Sequence, residues 1–343
     1  MKIYDDYIST IRTAISADKK SRSKFSTFEA FDGNIKKAFS YANLNESVPQ
    51  KRLLPSLSAL ANELGLVPNF EQKLGLHPNF AHLKGTDKTE NHYIVSAFID
   101  IKGSTNLFSK YEPETVLIIN TTIQRAAIHT CLIFDGYVHR LQGDGLMVYF
   151  GGKETDKSTA ALRALQSASV FTYFVKYDLK KLFLEQGIDK IFTRIGIDLG
   201  DDKDVVWSMA GIGEISEVTT CSLHTSLASK MQASADSNGI VVGDNVKNNI
   251  GLQFHNLVQP VSMRTGKESD RYIFQIPDEN FNYTQYDLDW LNFLKRQEFI
   301  LTNLDGDISL KQKTIISPNR SIENLEPLAV PNKPYINGIG KSF

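Results

Sequence analysis

Residues 93–99 form an unbroken apolar and small-residue run, Tyr-Ile-Val-Ser-Ala-Phe-Ile, and Asp100 ends it. A short, β-prone run of this kind reads as a strand buried on both faces. An ionised carboxylate at the end of such a strand is costly unless something positive pairs with it. A strand buried this way needs layers above and below, so the rest of the chain must supply them.

Other segments suit that demand. A helix is expected over about 113–133, with Ser104 or Thr105 placed to cap it. Asp135-Gly136 marks a turn, and 137–142 and 146–150 read as strands. They flank Gly143-Asp144-Gly145 at a hairpin tip. Residues 155–186 read as helical, 192–199 and 205–212 as strands, 223–235 as a helix, and 240–242 and 272–275 as strands. The order predicts an α+β sandwich, with helices on one face of a mostly antiparallel sheet.

The first 62 residues carry helical stripes, such as Tyr4, Tyr7, Ile8 and Ile11. A short repeat follows, Leu64-Gly-Leu-Val-Pro-Asn-Phe70 and Leu74-Gly-Leu-His-Pro-Asn-Phe80, and reads as a hinge-like connector. The His77 and His82 pair lacks a third metal ligand. The expected divisions are 1–85, a helical segment and connector; 86–277, the main α+β domain; and 278–343, a helix over 290–301 with a partly extended tail.

With 38 basic and 39 acidic residues the net charge is −1, so no global field draws the chain to nucleic acid or membrane. Cys131 and Cys221 show no metal-type spacing and read as reduced, buried thiols. The N-terminus has acids where a signal peptide needs bases, and no run reaches the roughly 18 apolar residues of a membrane span. A cytoplasmic location is expected.

Asp144 alone says little, because hairpin turns favour aspartate for local reasons. Together with Asp100 it says more. A strand-end carboxylate and a hairpin carboxylate that meet over the sheet edge make a site for one or two Mg2+ or Mn2+ ions. Ile101-Lys102-Gly103-Ser104-Thr105 then offers backbone amides to phosphates, without the Walker spacing.

Four blocks in order, 98–105, 140–147, 194–200 and 228–231, resemble those of class III nucleotidyl cyclases. The resemblance implies that Asp100 and Asp144 bind two Mn2+ or Mg2+ ions, with the Ile101 carbonyl assisting. It implies attack of a ribose 3′-oxygen on the α-phosphate, and a homodimer with two shared sites. Lys102, Gly103, Ser104 and Thr105 would face the phosphates.

Arg140, Thr219, Ser226 and Lys230 replace the family's base-reading Lys, its Asp partner, the ribose-orienting Asn and the transition-state Arg. Arg140 has only donors, which fit the acceptors of uracil or cytosine. These departures resemble the pyrimidine cyclases of bacterial Pycsar antiphage systems. The expectation is therefore UTP converted to cyclic UMP, a messenger for a separate effector protein in defence. CTP converted to cyclic CMP, or an inactive nucleotide-binding regulator, is the alternative. A diguanylate-type synthase is disfavoured, because Gln142-Gly-Asp-Gly-Leu146 lacks its hairpin signature. A pure scaffold would leave the two aspartates unexplained.

Overall fold

A computed structural model of the protein describes residues 3–25, 41–188, 191–304 and 307–311. The expected extended tail from residue 314 lies outside the described residues. The elements are, in chain order, α1 (Asp5–Phe25), α2 (Tyr41–Ser47), α3 (Pro55–Leu64), β1 (Thr89–Asn91), β2 (Ile94–Lys102), α4 (Pro113–Ile133), β3 (Gly136–Gln142) and β4 (Gly145–Phe150). Next come α5 (Lys157–Tyr173), a π-helical stretch (Phe174–Leu179), α6 (Lys180–Leu184), β5 (Phe192–Gly200), β6 (Val205–Ile212), β7 (Ile215–Ser222), α7 (Leu223–Ser234) and β8 (Gly239–Gly243). The last are α8 (Asp244–Asn249), β9 (Val258–Pro260), α9 (Val261–Thr265), β10 (Tyr272–Ile276), β11 (Phe281–Leu288), α10 (Trp290–Lys295), β12 (Ile300–Thr302) and β13 (Ile308–Leu310).

The central sheet runs β10-β11-β8-β5-β2-β4-β3, with β9 also paired to β11. Its β5–β8 pair is parallel and the others are antiparallel. Alternation along β2 divides its side chains between two cores. Val95, Ala97, Ile99 and Ile101 join the helices α1, α3, α4 and α5. Ile94 and Phe98 point the other way, toward Phe80, Trp207 and Ala228. Both faces are therefore covered, where one helical face was expected. The second cover is α7 together with a three-stranded sheet, β1-β6-β7. This explains the unbroken apolar run of β2.

The α+β sandwich is as the sequence implies, and α4, β5, β6, α7 and β8 fall within a residue or two of their expected ranges. Four local readings change. The segment after Gly103 is a 3₁₀ turn, Ser104–Ser109, and α4 starts beyond it with Glu112 at its N-cap and no side-chain cap of its own. Asp18 of α1 instead accepts from the Glu112 N–H and the Thr115 hydroxyl, both at 3.1 Å. Strand β11 lies beyond the boundary expected at residue 277 and belongs to the central sheet. The expected helix over 290–301 stops at Lys295, and β12 follows. Cys131 is buried but Cys221 is exposed.

Helix α4 is long and apolar enough to cross a membrane by length and composition, contrary to the sequence reading. Here it is a core helix, with Ile119, Ala126 and Ile133 fully enclosed between the sheet and α1. Tyr4, just before α1, and Tyr7 of α1 reach it through hydrogen bonds to Thr130 (2.5 Å) and His129 (2.6 Å).

The connector is a clamp. Gly75 N–H donates to the His139 carbonyl (2.9 Å), and Val218 N–H donates to the Gly75 carbonyl (2.7 Å), so residues 72–76 join β3 to β7. The Gln72 side chain adds bonds to the Gly136 carbonyl and the Val138 N–H. His77 is buried among Phe80, Tyr137 and Trp207, while His82 pairs with Glu90 at 3.0 Å. The two histidines thus serve different neighbours.

Candidate active site

The site begins with register. Ile99 of β2 pairs with Leu146 of β4, so Asp100 stands beside Gly145 and the Asp144 turn. The two-residue tip closes because Gly143 adopts φ +63°. Gly145 has no room for a side chain: a Cβ there would sit 2.5 Å from the Ile99 carbonyl oxygen and 3.5 Å from the Asp100 Cα. A hairpin and a strand end thus meet at backbone distance, and two carboxylates share one corner. Gln124 of α4 braces the turn by donating to the Gly143 carbonyl at 3.2 Å.

Cations and donors surround the pair. Asp100 Oδ2 meets Lys102 Nζ at 3.0 Å and Arg194 Nη2 at 3.5 Å, and accepts from Gln232 Nε2 at 3.1 Å. Asp144 Oδ2 accepts from the Ser104 hydroxyl at 2.5 Å. Lys102 and Ser104 are thus tied to the carboxylates, while Thr105 is exposed beside them. Gly103, at φ +90°, makes the bend that returns Ser104 toward the hairpin. Because the loop enters a 3₁₀ turn, the dipole of α4 does not act on it.

The donor set suits hard divalent ions. It is all oxygen: two carboxylates, and the Ile101 carbonyl, which the strand repeat turns to the same side as that of Ile99. Among the described residues no third His, Cys, Asp or Glu completes a cluster. Remaining ligands would be phosphate oxygens and water.

Arg140 lies four residues before Asp144 and takes a partner that sequence reading missed. Its guanidinium forks onto Glu217 of β7, with Nε donating to Oε2 at 2.6 Å and Nη2 against Oε1. Thr219 is two residues along β7 and meets His139 Nε2 at 3.1 Å. Burial pushes His139 down to about 3, with Arg140 beside it adding to the effect, so its ring is neutral. The next residue, Thr220, bonds Tyr149 and Thr225.

Ser226 and Lys230 lie one turn apart on the exposed face of α7, and the described contacts link neither to the two carboxylates. The sheet-facing side of α7 is instead pressed onto Gly196, where a Cβ would come 2.1 Å from the Ala228 carbonyl oxygen. That close seat lets Gln232 reach Asp100.

Arg194 and Asp198 do not pair with one another. Arg194 faces Asp100, whereas the fully buried Asp198 holds His224 Nδ1 (2.8 Å) and the Tyr283 hydroxyl (2.7 Å). Burial opposes a charge on His224, but the Asp198 hydrogen bond and charge outweigh it and raise its pKa. This network is four residues up β5 from Arg194, about 13 Å by strand rise, and stands apart from the carboxylate corner. Arg264 is engaged by Asp287 at 2.8 Å and the Ser234 carbonyl at 3.0 Å.

No family model matches the chain. A cytidylate cyclase from Staphylococcus aureus is 39% identical over 221 residues, which is 64% of this chain and 51% of that protein. A cytidylate cyclase from Escherichia coli is 32% identical over 270 residues, 76% of this chain and 58% of that one. The chain thus spans about half the length of the curated relatives it matches. Among solved structures, the adenylyl cyclase CyaB from P. aeruginosa is similar over 59% of this chain and 95% of that one, at 18% identity and a TM-score of 0.48. By sequence the chain is a homologue of the cytidylate cyclases.

Proposed function

We propose that this chain converts CTP to 3′,5′-cyclic CMP and pyrophosphate. The observation that carries the proposal is the meeting of Asp100 and Asp144 at one sheet corner, set by the Ile99–Leu146 register. Asp100, Asp144 and the Ile101 carbonyl would hold Mn2+ or Mg2+. Such ions lower the pKa of the ribose 3′-hydroxyl and neutralise charge on the phosphates. The 3′-oxygen bonds to the α-phosphorus, and the bond to pyrophosphate breaks.

Ser104 fixes the orientation of Asp144, and Lys102 brings a positive charge to the phosphate side. Arg140 donates to the acceptors of a pyrimidine ring. Ser226 and Lys230 face outward on α7, which suits a homodimer in which they serve a second copy's site. The sequence alone points to UTP, yet Arg140 fits either pyrimidine. The curated relatives are cytidylate cyclases, which supports CTP. The product would act on a separate effector protein in antiphage signalling within the cytoplasm, as the Pycsar resemblance implies.

The test is direct. Purified protein is incubated with each of the four triphosphates and Mn2+, and the products are identified by mass spectrometry. Cyclic CMP should form fastest, and Asp100→Ala should lower it about 100-fold or more. A faster reaction with GTP or ATP would overturn the base assignment. Nucleotide binding without any cyclic product would instead favour an inactive regulator.

A further inference from the structure

We propose that Glu217 is the acceptor half of a two-residue base reader whose donor half is Arg140, and that it selects cytosine over uracil. This rests on the pyrimidine cyclase reading above. The fork between the two side chains leaves both partly open, with Arg140 40% and Glu217 25% exposed. Beside it lies an open surface depression lined by Ala210, Gly211, Ile215, Ser216 and Glu217.

A part-exposed ion pair contributes little to stability, about 0–1 kcal/mol. This pair is nevertheless held by two separate devices. Gly75, at φ +65°, lies flat on Glu217, where a Cβ would come 2.7 Å from the Glu217 Cβ. The Gly75 amide and carbonyl then bond to His139 and Val218, the neighbours of Arg140 and Glu217 in sequence. The result is a pre-set donor beside a pre-set acceptor, both partly open to solvent.

That pairing has a chemical complement. Cytosine presents an N4 amine donor next to the N3 acceptor, and uracil presents the reverse, an O4 acceptor next to an N3–H donor. With Glu217 opposite position 4 and Arg140 opposite N3, cytosine is matched twice. Uracil would set its O4 against a carboxylate and its N3–H against a guanidinium. Thr219 can donate or accept and does not discriminate.

The experiment uses the full chain with Mn2+ and measures kcat/KM for CTP and for UTP in the wild type, Glu217→Gln and Glu217→Asp. The Gln amide can turn its NH2 toward O4, so Glu217→Gln should lower the CTP:UTP ratio about tenfold or more. Glu217→Asp keeps the acceptor and should keep the preference for CTP at a reduced rate. If Glu217→Gln lowers both substrates alike and the ratio stays within about threefold, Glu217 only braces Arg140 and the proposal fails. Loss of the preference in Glu217→Asp would overturn it equally. Wild-type protein that yields no cyclic product from any triphosphate would sink the cyclase reading itself, a distinct outcome.

Discussion

The tip of the β3–β4 hairpin and its stem, four residues apart, are organised by different means. At the tip, Asp144 is placed by a two-residue turn, and Asp100 by the strand next door. Backbone geometry does nearly all of it. At the stem, Arg140 finds Glu217 on β7, 77 residues away, and the connector at Gly75 holds the two strands together. Behind that fork stands an aromatic core in which Phe80 stacks on Trp207 at 4.0 Å between ring centres. The carboxylate corner is a local construction, whereas the fork depends on side chains drawn from distant parts of the chain.

The sharpest way to break this contrast is Gly145→Ala. The added carbon must displace the Ile99 carbonyl, moving the two carboxylates relative to one another. Cyclic nucleotide formation should fall about 100-fold, alike for CTP and UTP. Rates within about tenfold of wild type under saturating Mn2+ would show that this contact does not set the corner.

Trp207→Ala attacks the other side. Loss of this fully buried ring should cost about 3–5 kcal/mol in urea denaturation. It should also narrow the CTP:UTP ratio, because the connector rests on the same core. An unchanged ratio in the folded variant would separate the aromatic core from base choice.

A smaller effect comes from acid. Burial holds His77 and His129 at about 4 and His139 at about 3, below the ordinary 6.5. They are neutral when folded and take up protons on unfolding. Their contribution is fully present above about pH 6.5 and is lost as pH falls toward 4, by at most about 1.4 kcal/mol per pH unit for each histidine. Urea midpoints measured between about pH 7.5 and 5 should decline, and His77→Asn should flatten the slope by about one proton. An unaltered slope in that variant would mean His77 is not the neutral buried group described.

Legibility in the sequence follows the same division. The turn at Gly143-Asp144 and the apolar strand before Asp100 carry their meaning in a few adjacent residues, so the carboxylate corner can be read directly. Strand β7 cannot. Its residues Ser216-Glu-Val-Thr-Thr-Cys-Ser222 bury only Val218 fully, and an edge strand with wet sides lacks apolar alternation. Glu217 is therefore invisible in the sequence as the partner of Arg140, and Thr219 stands in its place. Strand β11 escapes notice because it follows Pro277 in a polar stretch, yet β8, β9 and β10 bury most of it. The connector looks like a hinge because its Pro and Gly residues break helices. Its hydrogen bonds to two strands are a tertiary fact.

The attachment of α1 to α4 bears on how the chain is made. Tyr4 and Tyr7 bond to Thr130 and His129, partners 126 and 122 residues further on. At typical synthesis rates the first helix waits on the order of 10 s before its partners exist. During that wait Tyr4, Tyr7 and Ile11 have no core to enter. These side chains are thus sticky surface during synthesis, and offer a chaperone something to hold until α4 emerges.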